Sequence, residues 1–254
     1  MAEILRLYLA GSIRIERGDT LIPEARLPGR QGRVAFAMLA GERGRSLSKD
    51  ELADELWSGD PPSAWEVALR AIMSKIRTAI ADVGLHGDAL AHAFGCYQLA
   101  LPLDAWVDVE AAADAVHRAE TSLRHSDHAD AMGWSLVGNA IARRGFLAGE
   151  DGAWATRRRN ELQRIRVRAL ECRVQVELAR QHFDAAVRDA EAVTVIEPFR
   201  ETAYRLLMRA HAGSGNVAES LRVYERCRGT IADELGVAPS AETEALYLEI
   251  LRSA

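Results

Sequence analysis

Residues 48–83 read SKDELADELWSGDPPSAWEVALRAIMSKIRTAIADV. Ser48 followed by Glu51 is a capping-box pattern, in which hydroxyl and carboxylate satisfy each other's backbone amides, so a helix opens over 49–57. Pro61-Pro62-Ser63 stops that helix and starts another over 64–83. Within it Leu69, Ile72, Met73, Ile76 and Ile80 recur at steps of three and four, which buries one face. The other side carries Arg70, Ser74, Lys75, Arg77 and Thr78.

Upstream, Val34, Ala37, Met38 and Ala40 supply the apolar face of a further helix, and Gly41 and Gly44 end it. The first 29 residues alternate at period two. Leu5-Arg6-Leu7-Tyr8-Leu9 and Ile13-Arg14-Ile15 predict two strands, with a third around 20–27. Downstream of Gly84 period two returns. Residues 89–93 and 97–101, joined through Phe94-Gly95-Cys96, predict a hairpin. Three strands, three helices and a closing hairpin make a winged helix-turn-helix with an extra N-terminal sheet, and Pro102 falls at the expected boundary.

No strand is predicted from Asp104 onward. Two helices are expected between Asp108 and Arg144, followed by an internal repeat. Leu170, Val174, Phe183, Ala186, Ala190 and Val193 return 34 residues later as Tyr204, Met208, Val217, Ser220, Tyr224 and Cys227. Paired helices with that period are the tetratricopeptide signature, and Pro198 falls where such a repeat ends. The expected fold is therefore mainly α. An N-terminal winged helix-turn-helix (α+β) occupies 1–102, and an all-α tetratricopeptide-like domain occupies 104–254.

Length and charge agree with two soluble domains. The chain has 254 residues, 48% hydrophobic and 27% charged, with a net charge of −5. Residues 1–100 carry 12 Lys+Arg against 13 Asp+Glu, so DNA binding must come from a local patch rather than from a polybasic coat. Cys96, Cys172 and Cys227 are too few and too scattered for a disulfide framework, so reduced thiols are expected. No long apolar run exists, and Met1-Ala2-Glu3-Ile4 lacks the basic start of a signal peptide, so the cytoplasm is the expected location and no membrane partner is expected.

The chain resembles the Streptomyces antibiotic regulatory protein (SARP) family, whose second half is the bacterial transcriptional activation domain. In the first half the resemblance rests on Leu27-Pro-Gly-Arg30, Arg33, Arg45-Ser-Leu-Ser48-Lys49, Leu52, Trp57, Pro61-Pro62 and Ser74-Lys75-Ile76-Arg77. In the second half it rests on Phe146-Leu-Ala-Gly-Glu-Asp151 with Trp154 and Arg158, and on Pro198-Phe-Arg-Glu201 and Tyr224-Glu-Arg-Cys-Arg228. Glu234-Leu-Gly236, Pro239-Ser240 and Glu242-Thr243 complete it. The resemblance implies an OmpR-like winged helix on direct repeats of double-stranded DNA. It further implies a helical domain that supports a homodimer and touches the sigma and alpha subunits of RNA polymerase; whether the dimer forms only on DNA stays open. Three departures stand out: Glu66-Val67 where members often carry Arg-Asn, Ile72 at an often polar position, and a wing with His92 instead of arginine and Cys96 instead of glycine.

Candidate base contacts are Arg70, Ser74, Lys75 and Arg77, because only base edges in the major groove distinguish all four pairs. Candidate phosphate contacts are Arg45, Ser48, Lys49, Thr78 and His92. A solvated helix face is the competing account of the first set. Arg30 and Arg33 fit pairing with acids as well as they fit DNA. The run Arg157-Arg158-Arg159, with Arg164, Arg166 and Arg168, goes around its helix and suits ion pairs with Glu161 and Glu171 better than a second DNA surface. Trp106, Trp134 and Trp154 are expected to pack helices.

An enzyme is not expected. The seven histidines show no metal-ligand spacing, and His125, Asp127, His128 and Asp130 read as a polar helix connection. The chain has no phosphate-binding loop, nucleophile elbow or dinucleotide fingerprint, so neither cofactor nor metal is expected. The reading reached is a transcriptional activator. The alternative is a signal- or ligand-sensing helical-repeat protein with a winged-helix output domain.

Overall fold

The computed structural model describes residues 3–253. Met1 and Ala2, part of the stretch read for a signal, lie outside the described residues. The chain divides into two compact units: residues up to Ala111 together with Ile141–Leu162, and Ala112–Ala140 together with Gln163 onward. The boundary expected at Pro102 took no account of Ile141–Leu162, which returns to the first unit.

In that unit, β1 (Arg6–Tyr8), β2 (Arg14–Arg17) and β3 (Thr20–Pro23) form an antiparallel meander. Leu5, Leu7, Leu9, Ile13, Ile15 and Ile22 are buried, while Arg6 faces Glu16 across the ladder at 3.2 Å on the other side. The third strand stops short of the expected Leu27, because Glu24–Arg26 turn into a 3-10 helix and the Glu24 carboxylate accepts the Ile13 amide at 2.7 Å. A fourth strand, β7 (Trp106–Val107), pairs in parallel with β1. The expectation of no strand after Asp104 is thereby corrected: two residues are too few to display a period.

Helix α1 (Gly29–Gly41) is buried without interruption from Val34 to Ala40, not on one face alone. It packs against α2 (Lys49–Leu56), α3 (Trp65–Ala81) and β6 (Cys96–Leu99), and a helix enclosed in this way needs apolar residues all round. Strands β4 (Leu47–Ser48), β6 and β5 (Leu90–Ala93) form the second sheet, in the order β4-β6-β5. The winged helix-turn-helix expected from the pattern is present, and so is its extra N-terminal sheet.

Ile141–Leu162 is fastened to this unit by backbone and carboxylate. Phe146 bridges Ala10, and the Gly11 amide donates to Gly145 O at 2.9 Å. Buried Glu55 on α2 accepts the amides of Trp154 and Ala155, both at 2.9 Å, and thereby caps the start of α6 (Ala153–Ala179). Glu150, with its side chain 4% exposed, takes Arg30 at 2.7 Å and also pairs with Arg33. Arg30 and Arg33 are therefore engaged with acids, one of the two readings left open.

The second unit takes in most of α4 (Asp108–Arg124) and of α5 (His128–Ala142), which Asp127 caps by accepting the Asp130 amide at 3.0 Å. It continues with α6 from Gln163 and with α7 (Phe183–Ile196), α8 (Glu201–Gly213), α9 (Val217–Leu235) and α10 (Ala241–Arg252). The 34-residue repeat is realised physically. Leu170 and Val193 share one core cluster, and Val174, Ala186, Ala190, Tyr204, Met208, Tyr224 and Cys227 share the next. Gly236 ends α9 at φ 69°, a left-handed turn that suits glycine. Arg158 pairs with Glu161 at 2.8 Å as expected, but Glu171 pairs with Arg200 instead of the nearby arginines, and Arg168 turns to Glu120. Trp106 and Trp154 pack edge-on against Tyr8 and Phe146, and Trp134 lies under the Arg118 guanidinium.

Candidate nucleic-acid interface

Leu69, Ile72, Met73, Ile76 and Ile80 anchor α3 in the core, which leaves Val67, Arg70, Ala71, Ser74, Lys75 and Thr78 exposed along one continuous stripe. The spacing i, i+3, i+4, i+7 makes these residues neighbours on the helix surface. Four of the predicted residues, Arg70, Ser74, Lys75 and Thr78, thus stand together in solvent. Val67, 60% exposed, joins them at the head of the stripe. Arg70 Nε donates back to Glu66 O at 3.3 Å, and the Thr78 hydroxyl donates to Ser74 O at 3.2 Å.

Arg77 differs. It is half-buried, and its Nε and Nη2 both donate to Leu90 O, at 3.1 and 3.0 Å. One edge of the guanidinium is thus bound to the wing, and the Nη1 side remains for any other partner.

The wing is shorter than expected. Ala93 pairs with Cys96, so the loop is the two residues Phe94 and Gly95, at φ 50° and 76°. Both central residues having positive φ defines the type I′ turn, whose twist matches the strands. Cys96, expected in the loop, is in the strand instead. His92 is exposed, and its ring packs at a tilt against buried Tyr97, with centroids 4.5 Å apart.

The start of α2 adjoins this turn. Ser48 Oγ accepts the Glu51 amide at 3.0 Å, and Glu51 returns the bond to the Ser48 amide. The Lys49 amide donates to Gly95 O at 3.0 Å, and its ammonium stands 4.0 Å from Glu66. Arg45 lies between Glu42 at 3.0 Å and Glu51 at 2.9 Å. Hydrogen bonding to Glu51 outweighs burial and raises the Arg45 pKa, while the Ser48 amide and Arg45 hold Glu51 below the ordinary carboxylate value despite burial. Asp50 and Glu51 in the first turn stabilise the helix but repel an incoming phosphate.

In the sequence Phe94 reads only as part of the hairpin connection. It is fully exposed, at 104%, and a Phe-Gly pair between alternating strands was the available signal.

Among the described residues no group of three or more His, Cys, Asp or Glu is placed to hold a metal, and no helix is long and apolar enough to cross a membrane. All three cysteines are free. In the second unit a cavity of about 380 Å³ is lined by Glu120, Arg168, Glu171 and Cys172. Its acids are already matched, Glu120 with Arg168 and Glu171 with Arg200.

The fold is a winged helix-turn-helix followed by a tetratricopeptide-like helical unit, and the relatives it matches are named as regulatory proteins. The chain belongs to the bacterial transcriptional activator domain family, whose sequence model matches residues 107–251. It is 30% identical over 254 residues to the regulatory protein AfsR of Streptomyces griseus, covering 99% of this chain and 25% of AfsR. It is 27% identical over 249 residues to the regulatory protein DnrI of Streptomyces peucetius, covering 93% of this chain and 88% of DnrI. Mycobacterium tuberculosis EmbR, solved in complex with a low-affinity phosphopeptide, superposes with a TM-score of 0.84 at 25% identity, over 99% of this chain and 66% of EmbR. The resemblance to the SARP family is borne out, as is the fold class. The chain spans about a quarter of the length of the AfsR relatives.

Proposed function

We propose that this chain is a sequence-specific DNA-binding activator that reads the major groove through the exposed stripe of α3. The observation that carries the reading is the placement of Arg70, Ser74 and Lys75 side by side in solvent on a helix whose other face is locked into the core. A helix so presented fits a groove about 12 Å wide. Lys75 and Arg70 read base edges, and Ser74 takes a base or the backbone. Arg77 holds the wing and offers its Nη1 side. Thr78, Lys49 and His92 face phosphate. Arg45 and Ser48 serve mainly as the brace and cap of α2, reaching phosphate only through donors their carboxylate partners leave free.

In this reading phosphate contacts set the register and base contacts specify. The helical unit supports pairing of two chains on direct repeats and contact with the sigma and alpha subunits of RNA polymerase. The chain works in the cytoplasm, at the nucleoid, and is not an enzyme. The test is selection of bound duplexes from a random pool at stated salt, followed by titration of the winner. A direct repeat holding two chains per duplex supports the activator. Weak binding with no enriched motif overturns it, in favour of a helical interaction or sensor protein.

A further inference from the structure

Phe94 occupies a position that suits neither its backbone nor its ring. At φ 50° it is in the left-handed region, where Asn, Asp and Gly are at home and a bulky side chain is an outlier. Its ring is fully exposed. Its neighbours in the turn, Ala93 and Gly95, add no other large apolar group of the kind that anchors a protein partner. Strain and exposure in the same residue, at the tip of a hairpin, call for a use of the ring outside the folded chain.

The tip is also held in place. Gly95 O takes the Lys49 amide at 3.0 Å, fixing the turn to the start of α2. Leu90 O takes the Arg77 guanidinium, fixing β5 to α3. His92, packed at a tilt against Tyr97 across the ladder, stiffens the hairpin between those two points. A single rigid aromatic is thus carried on the same body as the α3 stripe.

Resting on the reading above, in which α3 fills the major groove, we propose that Phe94 is an apolar wedge for the adjacent minor groove of the duplex. There the ring presses against a base step and opens it. Apolar side chains act this way in minor-groove binding, and pyrimidine–purine steps yield most easily. The wing would then add shape specificity beside the bases α3 reads, through its aromatic tip.

The test uses the full chain and three proteins: the parent, Phe94→Asn and Lys75→Ala. Asparagine suits the first position of a type I′ turn, so Phe94→Asn should melt at or above the parent temperature. The expected result is that this variant binds the selected duplex roughly tenfold more weakly, the scale of one lost aromatic–base contact. It should keep the α3 motif but lose enrichment of a flanking pyrimidine–purine step. Equal affinity and an unchanged flank in Phe94→Asn, with specificity lost in Lys75→Ala, overturn the wedge and leave the DNA reading standing. Intact DNA binding with lost activation in Phe94→Asn also overturns it and gives the tip to a protein partner. A parent chain that enriches no motif overturns both.

Discussion

Arg77, on the helix that carries the exposed stripe, donates both Nε and Nη2 to the carbonyl of Leu90, the first residue of the wing. A charge-assisted pair of bonds thus couples the two elements expected to meet DNA, and the coupling separates two kinds of residue.

Replacing Arg77 with alanine should lower affinity for all duplexes alike and destabilise the fold by about 1–3 kcal/mol, since Leu90 loses a charged donor. Replacing Lys75 or Arg70 with alanine should instead cost about 1–3 kcal/mol in binding and relax preference at one base position. Selection profiles for the three variants distinguish these outcomes. Relaxation at a single base in Arg77→Ala would return that residue to base reading.

Glu55 is buried and accepts two amides from the start of α6. Glu55→Ala should destabilise the chain by about 1–3 kcal/mol, because two N–H groups are left without a partner. Urea unfolding followed by tryptophan fluorescence is an apt measurement, since Trp154 itself supplies one of those amides.

Arg168 grips Glu120 with two bonds, of 2.7 and 2.6 Å. These bonds hold its carboxyl below the usual range against a smaller opposing effect of burial. A carboxylate with a lowered folded pKa contributes stability above its unfolded value and loses it as pH falls through the folded one. Glu120→Gln should therefore be less stable than the parent at pH 7, with the gap closing as the solution is acidified below the ordinary glutamate range. A gap that stays constant with pH would show that the pair carries no proton-linked stability.

Burial pushes the Cys172 thiol up to about 12 and the Cys227 thiol up to about 11. Cys96 is half-exposed beside the wing turn. Thiol labelling of the native chain should modify Cys96 first, and the other two should react only on unfolding. Prompt reaction of all three would contradict the packing of both helical positions.

Local patterns were legible. The capping box at Ser48 and Glu51, the apolar face of α3 and the 34-residue repeat each rest on neighbours in sequence, and each is found as read. The wing was misjudged by one residue because Phe-Gly does not announce a type I′ turn as Asn-Gly would. Pairings across about 100 residues, such as Glu55 with Trp154 and Glu150 with Arg33, leave no local trace. Several motifs that carry the family resemblance prove to be such ties. Arg200 and Glu201 of the Pro198-Phe-Arg-Glu201 motif hold Glu171 and Ser240, and Arg30 and Arg33 hold Glu150 of the Phe146–Asp151 stretch. They maintain architecture, whereas Ser74 and Lys75, which also carry the resemblance, stand exposed on α3.

The return of Ile141–Leu162 to the first unit makes the chain cross between its units three times, after Ala111, Ala140 and Leu162. A gene fusion or excision cut after Ala111 or Ala140 would separate Glu55 from Trp154 and Ala155, and Glu150 from Arg30 and Arg33. The two halves are therefore poor candidates for independent shuffling. With α3 reading DNA as proposed, a change of sequence preference is expected from altering a few of its side chains sooner than from exchanging the first unit whole.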